Sequence, residues 1–217
     1  MRRLALTLAA LAFASSAALA TNAQISNGAA VIDTLDVQAV GAIISELGEQ
    51  NVEVSDKGDA KSVTYVDEGQ PYLTVVTLCD FKPGKCLALI QLTIVDLGTT
   101  VITSDQIVKL AGDNIFLTVF KPEGKGNLIA FARVMMIDGG VTRQNLAVNI
   151  ENYVDTSRST IRTLASKLIS TGDHAGTPMS AASIQIHPVQ ADRRTVQAIQ
   201  SQLLSHYREM LTQRMRR

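Results

Sequence analysis

The chain has 217 residues, 46% of them hydrophobic and 18% charged, which is enough to bury a core and too apolar for global disorder. Twenty basic and twenty acidic residues cancel, which argues against chain-wide attraction to nucleic acid or anionic lipid. Two cysteines exclude a disulfide-dense scaffold and most thiolate metal sites; five phenylalanines, four tyrosines and no tryptophan leave little for a base-stacking platform.

The first twenty residues read as a signal peptide. Arg2 and Arg3 form a basic start, Leu4 to Ala14 an apolar stretch, and Ala18-Leu19-Ala20 a small-x-small cleavage site. The apolar stretch spans about 16 Å as a helix, half of a bilayer core, so cleavage is expected in place of anchoring. The mature protein is then periplasmic or secreted.

Charge is unevenly spread along the rest. Residues 188–217 carry six arginines against Asp192 and Glu209, a net +4, while residues 21–187 carry a net −6. That asymmetry points to separate modules, or to a tail that folds back on its own body.

Residues 21–31 look like a flexible leader, and residues 32–169 like one α+β domain. Its first helix starts near Asp33 or Asp36, with Ile32, Leu35, Ala39, Ile43 and Leu47 on one face, and Gly48 ends it. Three strands follow at Ser62–Val66, Tyr72–Leu78 and Leu87–Val95, separated by turn-rich segments of hairpin length. The third is apolar on both faces apart from Gln91 and Thr93, which suits the sheet centre. Thr103 or Ser104 can cap a short helix closed by Gly112. Strands at Ile115–Phe120 and Asn127–Ile137 come next, and then Thr142 caps a long helix. Its stripe is Leu146, Ile150, Tyr153, Val154, Ser157, Ile161, Leu164 and Leu168. Residues 170–188 read as a linker. Residues 189–217 form a basic amphipathic tail helix with Val196, Ile199, Leu203, Leu204, Tyr207, Met210 and Leu211 on one side. The predicted order is α-β-β-β-α-β-β-α, an antiparallel sheet of about five strands flanked by helices.

This order and its local wording resemble the YbjN-domain family of bacterial sensory transduction regulators over residues 36–168. Ser45-Glu46-Leu47-Gly48, Asp67-Glu68-Gly69-Gln70-Pro71 and Asp138-Gly139-Gly140-Val141-Thr142 carry the resemblance. It implies a fold like that of type III secretion chaperones, which hold polypeptides and do no covalent chemistry, and it supplies no catalytic residues. The middle helix departs from the family: Gln106 to Gly112 stands where many members have an Asn- and Trp-containing segment.

Candidate chemistry is sparse. Cys79 and Cys86 flank a short turn, where directly opposed residues come within disulfide reach; a structural disulfide is the leading reading, with free thiols or a redox or metal role as alternatives. His174, His187 and His206 lie in the linker or tail without paired ligand spacing, so they read as solvated surface groups. No Gly-x-Ser-x-Gly elbow occurs. Gly124-Lys125-Gly126 falls between strands and reads as a turn instead of a phosphate cradle, and Gly139-Gly140 as a bend that could alternatively hold an anion. Asp67, Glu68, Asp80, Asp138 and Glu151 are scattered acids with no evident catalytic pair.

No cofactor, metal, catalytic residue or nucleic-acid partner is therefore expected. The leading expectation is a non-enzymatic exported binding or regulatory protein of the bacterial envelope, holding a protein or peptide in a chaperone-like manner. A small-ligand sensor is the alternative, and an unrecognised enzyme stands third. Ile199, Leu203, Tyr207 and Met210 are the candidate partner-binding residues. Their cover would be the chain's own body, a second copy in a homodimer or another protein; a membrane surface is less favoured because glutamines dilute the basic face.

Overall fold

Hairpins build most of the sheet, as the turn-rich separators predict. The computed structural model describes residues 25–57, 60–79, 86–98, 102–114, 116–122, 127–137, 139–171 and 187–188, together with Ser201 and Ser205. In chain order the elements are β1 (Val31–Ile32), α1 (Val37–Glu46), β2 (Gln50–Lys57), β3 (Ala60–Asp67), β4 (Gln70–Thr77) and β5 (Ala88–Asp96). Then come α2 (Ser104–Gly112), β6 (Thr118–Phe120), β7 (Leu128–Met136), β8 (Val141–Thr142), α3 (Arg143–Thr171) and β9 (His187–Pro188). Six antiparallel strands run in the order β2-β3-β4-β5-β7-β6, with β9 beside β5, and β1 pairs with β8 in a separate two-stranded sheet. The fold is α+β.

The strand beyond the expected five is β2. Its sequence, QNVEVSDK, is mostly polar, so it lacks the apolar alternation that marks a half-buried strand. It pairs with β3 alone, at the sheet edge, where polar and charged residues are usual. A register shift between Gln50 and Glu53, with Asn51 at φ 52°, bulges it.

The helices start at their expected caps. Asp36 accepts from the Gln38 amide at the head of α1, and Gly48 follows the helix at φ 87°. The buried face differs from the expected one: Val37, Val40, Gly41, Ile43 and Ile44 turn inward. Leu35 precedes the helix and instead forms an isolated bridge with Cys86, just ahead of β5, which shifts the apolar phase. Gly41 lies against β2, where an added Cβ would stand 2.5 Å from Val54 Cγ2. Thr103 and Gln106 complete a capping box on α2, whose C-cap is Asp113, one residue past the expected Gly112. Thr142 Oγ1 accepts from the Asn145 amide at the head of α3.

Residues 25–31, read from the sequence as part of a flexible leader, are largely exposed but make specific contacts with the body. Ile25 is buried, Ser26 donates to the Glu46 carboxylate, and the Ala30 and Gly28 carbonyls accept from the Arg143 and Gln144 amides. This short segment ties α1 to the start of α3.

A two-residue turn joins β3 to β4. Glu68 and Gly69 both have positive φ, 45° and 82°, as a hairpin turn matched to strand twist requires. Gln70 and Pro71 belong to β4, yet β4 pairs with β5 only from Leu73 onward. Pro71 has no N–H to donate, and its carbonyl accepts from Thr93 Oγ1 at 2.8 Å, while Thr93 Oγ1 itself accepts from Gln70 Nε2 at 2.7 Å. On the β4 side, the end of β5 is left to His187 and Pro188, which pair with Asp96 and Val95.

Every residue of β5 from Ala88 to Val95 is buried, so the sheet is apolar on both faces. One face carries Val63, Tyr65, Tyr72, Leu89, Val95 and Phe131 against Ile43 and Ile44 of α1 and Leu146, Ile150, Tyr153 and Val154 of α3. The other carries Val75, Ile90, Leu92, Ile94, Ala130 and Ala132. Burying each large aliphatic side chain contributes about 1.5–3 kcal/mol, so the second face is a substantial part of the core. No helix among the described residues is long and apolar enough to cross a membrane.

Candidate functional site

The densest set of buried polar groups lies between β3–β5 and α3. Tyr65 and Tyr72 are directly opposed on neighbouring strands, with rings stacked at 5.4 Å. Tyr153 meets Tyr72 edge-on at 6.0 Å and donates from its hydroxyl to the Phe131 carbonyl at 2.8 Å. Ser157 Oγ donates to the Val154 carbonyl at 3.0 Å and lies 3.5 Å from the Tyr72 hydroxyl. Thr74 and Gln91, opposed on β4 and β5, are wholly buried beside them. The Tyr65 hydroxyl is near enough to both side chains for them to favour its ionised form. Even so, neither it, Thr74 Oγ1 nor either amide atom of Gln91 reaches hydrogen-bond geometry with a protein partner.

A charged rim borders this cluster. Arg158 on α3 contacts Asp67 at the end of β3, Glu68 in the turn at 3.3 Å, and Asp155 at 3.6 Å; Arg162 also reaches Glu68. Burial raises the Asp67 carboxyl, and Arg158 opposes that rise. Burial pulls the Arg158 guanidinium down, but Asp67, Glu68 and Asp155 more than offset it, leaving its pKa raised. Glu49, just after α1, sits nearby with Oε2 buried and unbonded. Burial, then repulsion from Asp67, lifts its carboxyl to about 7.

Burial raises Tyr65, Tyr72 and Tyr153 above the ordinary phenol range, so all three are neutral at physiological pH. Glu49 is the group here that titrates near neutrality, which is the property wanted in a proton carrier. Its neighbours explain the shift as a structural acidic cluster does, and the groups around it are buried phenols, carboxylates and Arg158. Among the described residues, no three His, Cys, Asp or Glu side chains are grouped to hold a metal ion.

Cys79 and Cys86 are joined in a disulfide. The β4–β5 register, ending at Thr77 opposite Ala88, carries on to set them face to face. Through the Leu35 amide, which donates to the Cys86 carbonyl at 2.9 Å, the bond also adjoins the entry to α1. A disulfide fits an oxidising compartment.

The other sequence-marked residues separate. Asp67 and Glu68 share Arg158, whereas Glu151 acts on Glu49 only through its charge. Gly139 and Gly140 take φ of 93° and 90°, as a bend requires. Gly140 N–H donates to the Ile137 carbonyl, and the first amides of α3 are taken by Ala30, Gly28 and Thr142, so backbone donors at this helix head are already engaged. His187 lies in β9. Residues 1–24, Asp80, Gly124, Lys125, Gly126, Asp138, His174 and His206 lie outside the described residues, as do the partner-binding candidates Ile199, Leu203, Tyr207 and Met210. Glu49 was not foreseen; nothing in Gly48-Glu49-Gln50 distinguishes it from a solvated acid.

Comparison with protein-family models, with curated proteins and with solved structures finds no match.

Proposed function

We propose that this is a non-enzymatic, exported binding protein that holds a protein or peptide partner in the cell envelope, in the manner of a chaperone. The observation that carries the reading is the second sheet face. It is as apolar as the helix-covered face, and the residues grouped on it among those described are strand residues alone. Its side chains are already deeply buried, so a polypeptide gains this broad, non-directional surface by displacing whatever covers it. The disulfide supports the envelope placement, and the resemblance to the YbjN-domain family supports a regulatory role. Crosslinking in the native envelope, followed by mass spectrometry, tests the reading. Polypeptide adducts mapping to the second face or the tail support it, and their absence under conditions that crosslink a known envelope complex overturns it.

One observation favours a small-ligand sensor as a second reading: Tyr65, Thr74 and Gln91 bring unbonded polar atoms together in a buried place. Native mass spectrometry of envelope-derived protein would then show a small-molecule adduct, lost in Gln91→Met.

A further inference from the structure

The sheet's second face is deeply buried, yet none of α1, α2 and α3 contributes to its cluster. Ile90 is 1% exposed, Leu92 and Ile94 2%, and Ala130 and Ala132 wholly buried. Among the described residues, those packed against them are Leu73, Phe120, Leu128 and Val134, all on strands of the same sheet. Side chains standing side by side on one face do not cover each other's tips. That requires a second layer, about 10 Å away when the layer is another sheet. We propose that residues 193–214 of the same chain are that layer: the tail helix lays its apolar side on the second face and acts as the protein's own internal ligand.

Several observations select this occupant. The tail is anchored at the right place, because His187 and Pro188 pair with Asp96 and Val95 at the end of β5. The twelve residues between Pro188 and Ser201 reach up to about 40 Å when extended, so no part of the face lies beyond the tail. Ser201 and Ser205 are both helical and both exposed. Four residues apart, they mark one outward side of a helix. On a helix continuous through them, at about 100° per residue, Ile199, Leu203 and Tyr207 would fall on the opposite side. From Val196 to Leu211 a helix is about 24 Å long, close to the roughly 30 Å of a nine-residue strand such as β5. The charges agree as well, with net +4 on residues 188–217 and net −6 on residues 21–187.

The docking has a consequence that rests on the binding reading: an external polypeptide must compete with a tethered segment of high effective concentration. The docking itself stands or falls separately. Benzoylphenylalanine in place of Leu203 in the full mature chain should give, on irradiation, a monomer-sized product joined to β4, β5, β6 or β7 at second-face positions such as Leu73, Leu92 or Phe120. Mixing isotopically light and heavy chains identifies any bond between copies. Light–heavy products, bonds to α1 or α3, or no bond to the second face would overturn the proposal. As a second arm, a labelled synthetic peptide of residues 193–214 should bind the full chain carrying Ile199→Ser, Leu203→Ser and Tyr207→Ser at least tenfold more tightly than the wild-type chain. Equal binding to both would overturn the internal-ligand role. A confirmed internal bond with no envelope partner would leave the docking intact and refute only the partner reading.

Discussion

Arg158 and Asp67 stand 91 positions apart in sequence and form the contact by which α3 grips the end of β3. The same guanidinium reaches Glu68 in the adjoining turn, and its side chain is only 23% exposed. The pair therefore fastens the middle of the long helix to the sheet, at the rim of the tyrosine cluster. It also supplies the positive charge that faces four carboxylates: Asp67, Glu68, Asp155 and Glu49.

Arg158→Met should therefore destabilise the protein by about 1–3 kcal/mol, between the small worth of a surface pair and the larger cost of stranding a buried charge. Urea titration at pH 7 measures it. Adding Asp67→Asn should recover part of the loss, because the stranded carboxylate is then gone. Simple additivity of the two changes would show that the pair is not energetically coupled.

The Glu49 carboxyl, raised to about 7 by burial and Asp67, predicts an acid-favoured contribution to stability. Between its ordinary value of 4.5 and about 7, the folded state holds a proton that the unfolded chain has released. Stability from this group is therefore greatest below pH 4.5 and is lost as pH rises through 7. Solvent screening of a half-exposed carboxyl reduces the effect to about 1–2 kcal/mol. Glu49→Gln should raise the melting temperature at pH 8 and leave it unchanged at pH 4.5. A gain of equal size at both values would show that ionisation is not the cause.

Local chemistry was legible in the sequence and long-range chemistry was not. Glu68-Gly69, Thr142, Thr103 with Gln106, and Asp36 are recognisable because a turn or a cap is decided within a few residues. The two-faced burial of β5 was visible because eight successive residues carry it. β2 was hidden because an edge strand needs no apolar alternation. Glu49 and Arg158 were hidden because their properties come from residues that only the fold brings near. Asp67 was noticed as an acid, but its partner lies on a different element.

Reduction of Cys79–Cys86 should lower stability by about 2.5 kcal/mol, the chain-entropy value for a loop of this length. Thermal melts with and without reductant measure it, and Cys79→Ser with Cys86→Ser should reproduce the reduced protein. In native, non-reduced protein neither thiol should react with alkylating reagent. Free labelling of both would contradict the β4–β5 register, since a one-residue slip sends the two side chains to opposite faces.

If residues 1–20 are a cleaved signal peptide, as their pattern suggests, the mature N-terminus should be Thr21, because Ala18 and Ala20 provide a small-x-small site. Ile25 is already packed in the core four residues later, so the cut should leave the folded body intact. Intact-mass measurement of the envelope-localised protein decides the point. Retention of Met1 would remove the exported reading.

Gln91 offers the sharpest test between the two binding readings. It is wholly buried on β5, directly opposite Thr74, and neither its carbonyl nor its amino group bonds to a protein partner. A buried amide so placed forfeits about 1–3 kcal/mol relative to one that is bonded or exposed. Methionine has nearly the same length and no such demand, so Gln91→Met should stabilise the protein by about 1 kcal/mol in chemical denaturation. If the second face and the tail carry the function, the variant should keep its envelope crosslinks unchanged while becoming more stable. If the polar cluster instead binds a small molecule, stability should still rise while the adduct seen by native mass spectrometry disappears, the exchange of function for stability expected at a binding site. A clear loss of stability would contradict both outcomes and show that Gln91 is fully satisfied in the folded protein.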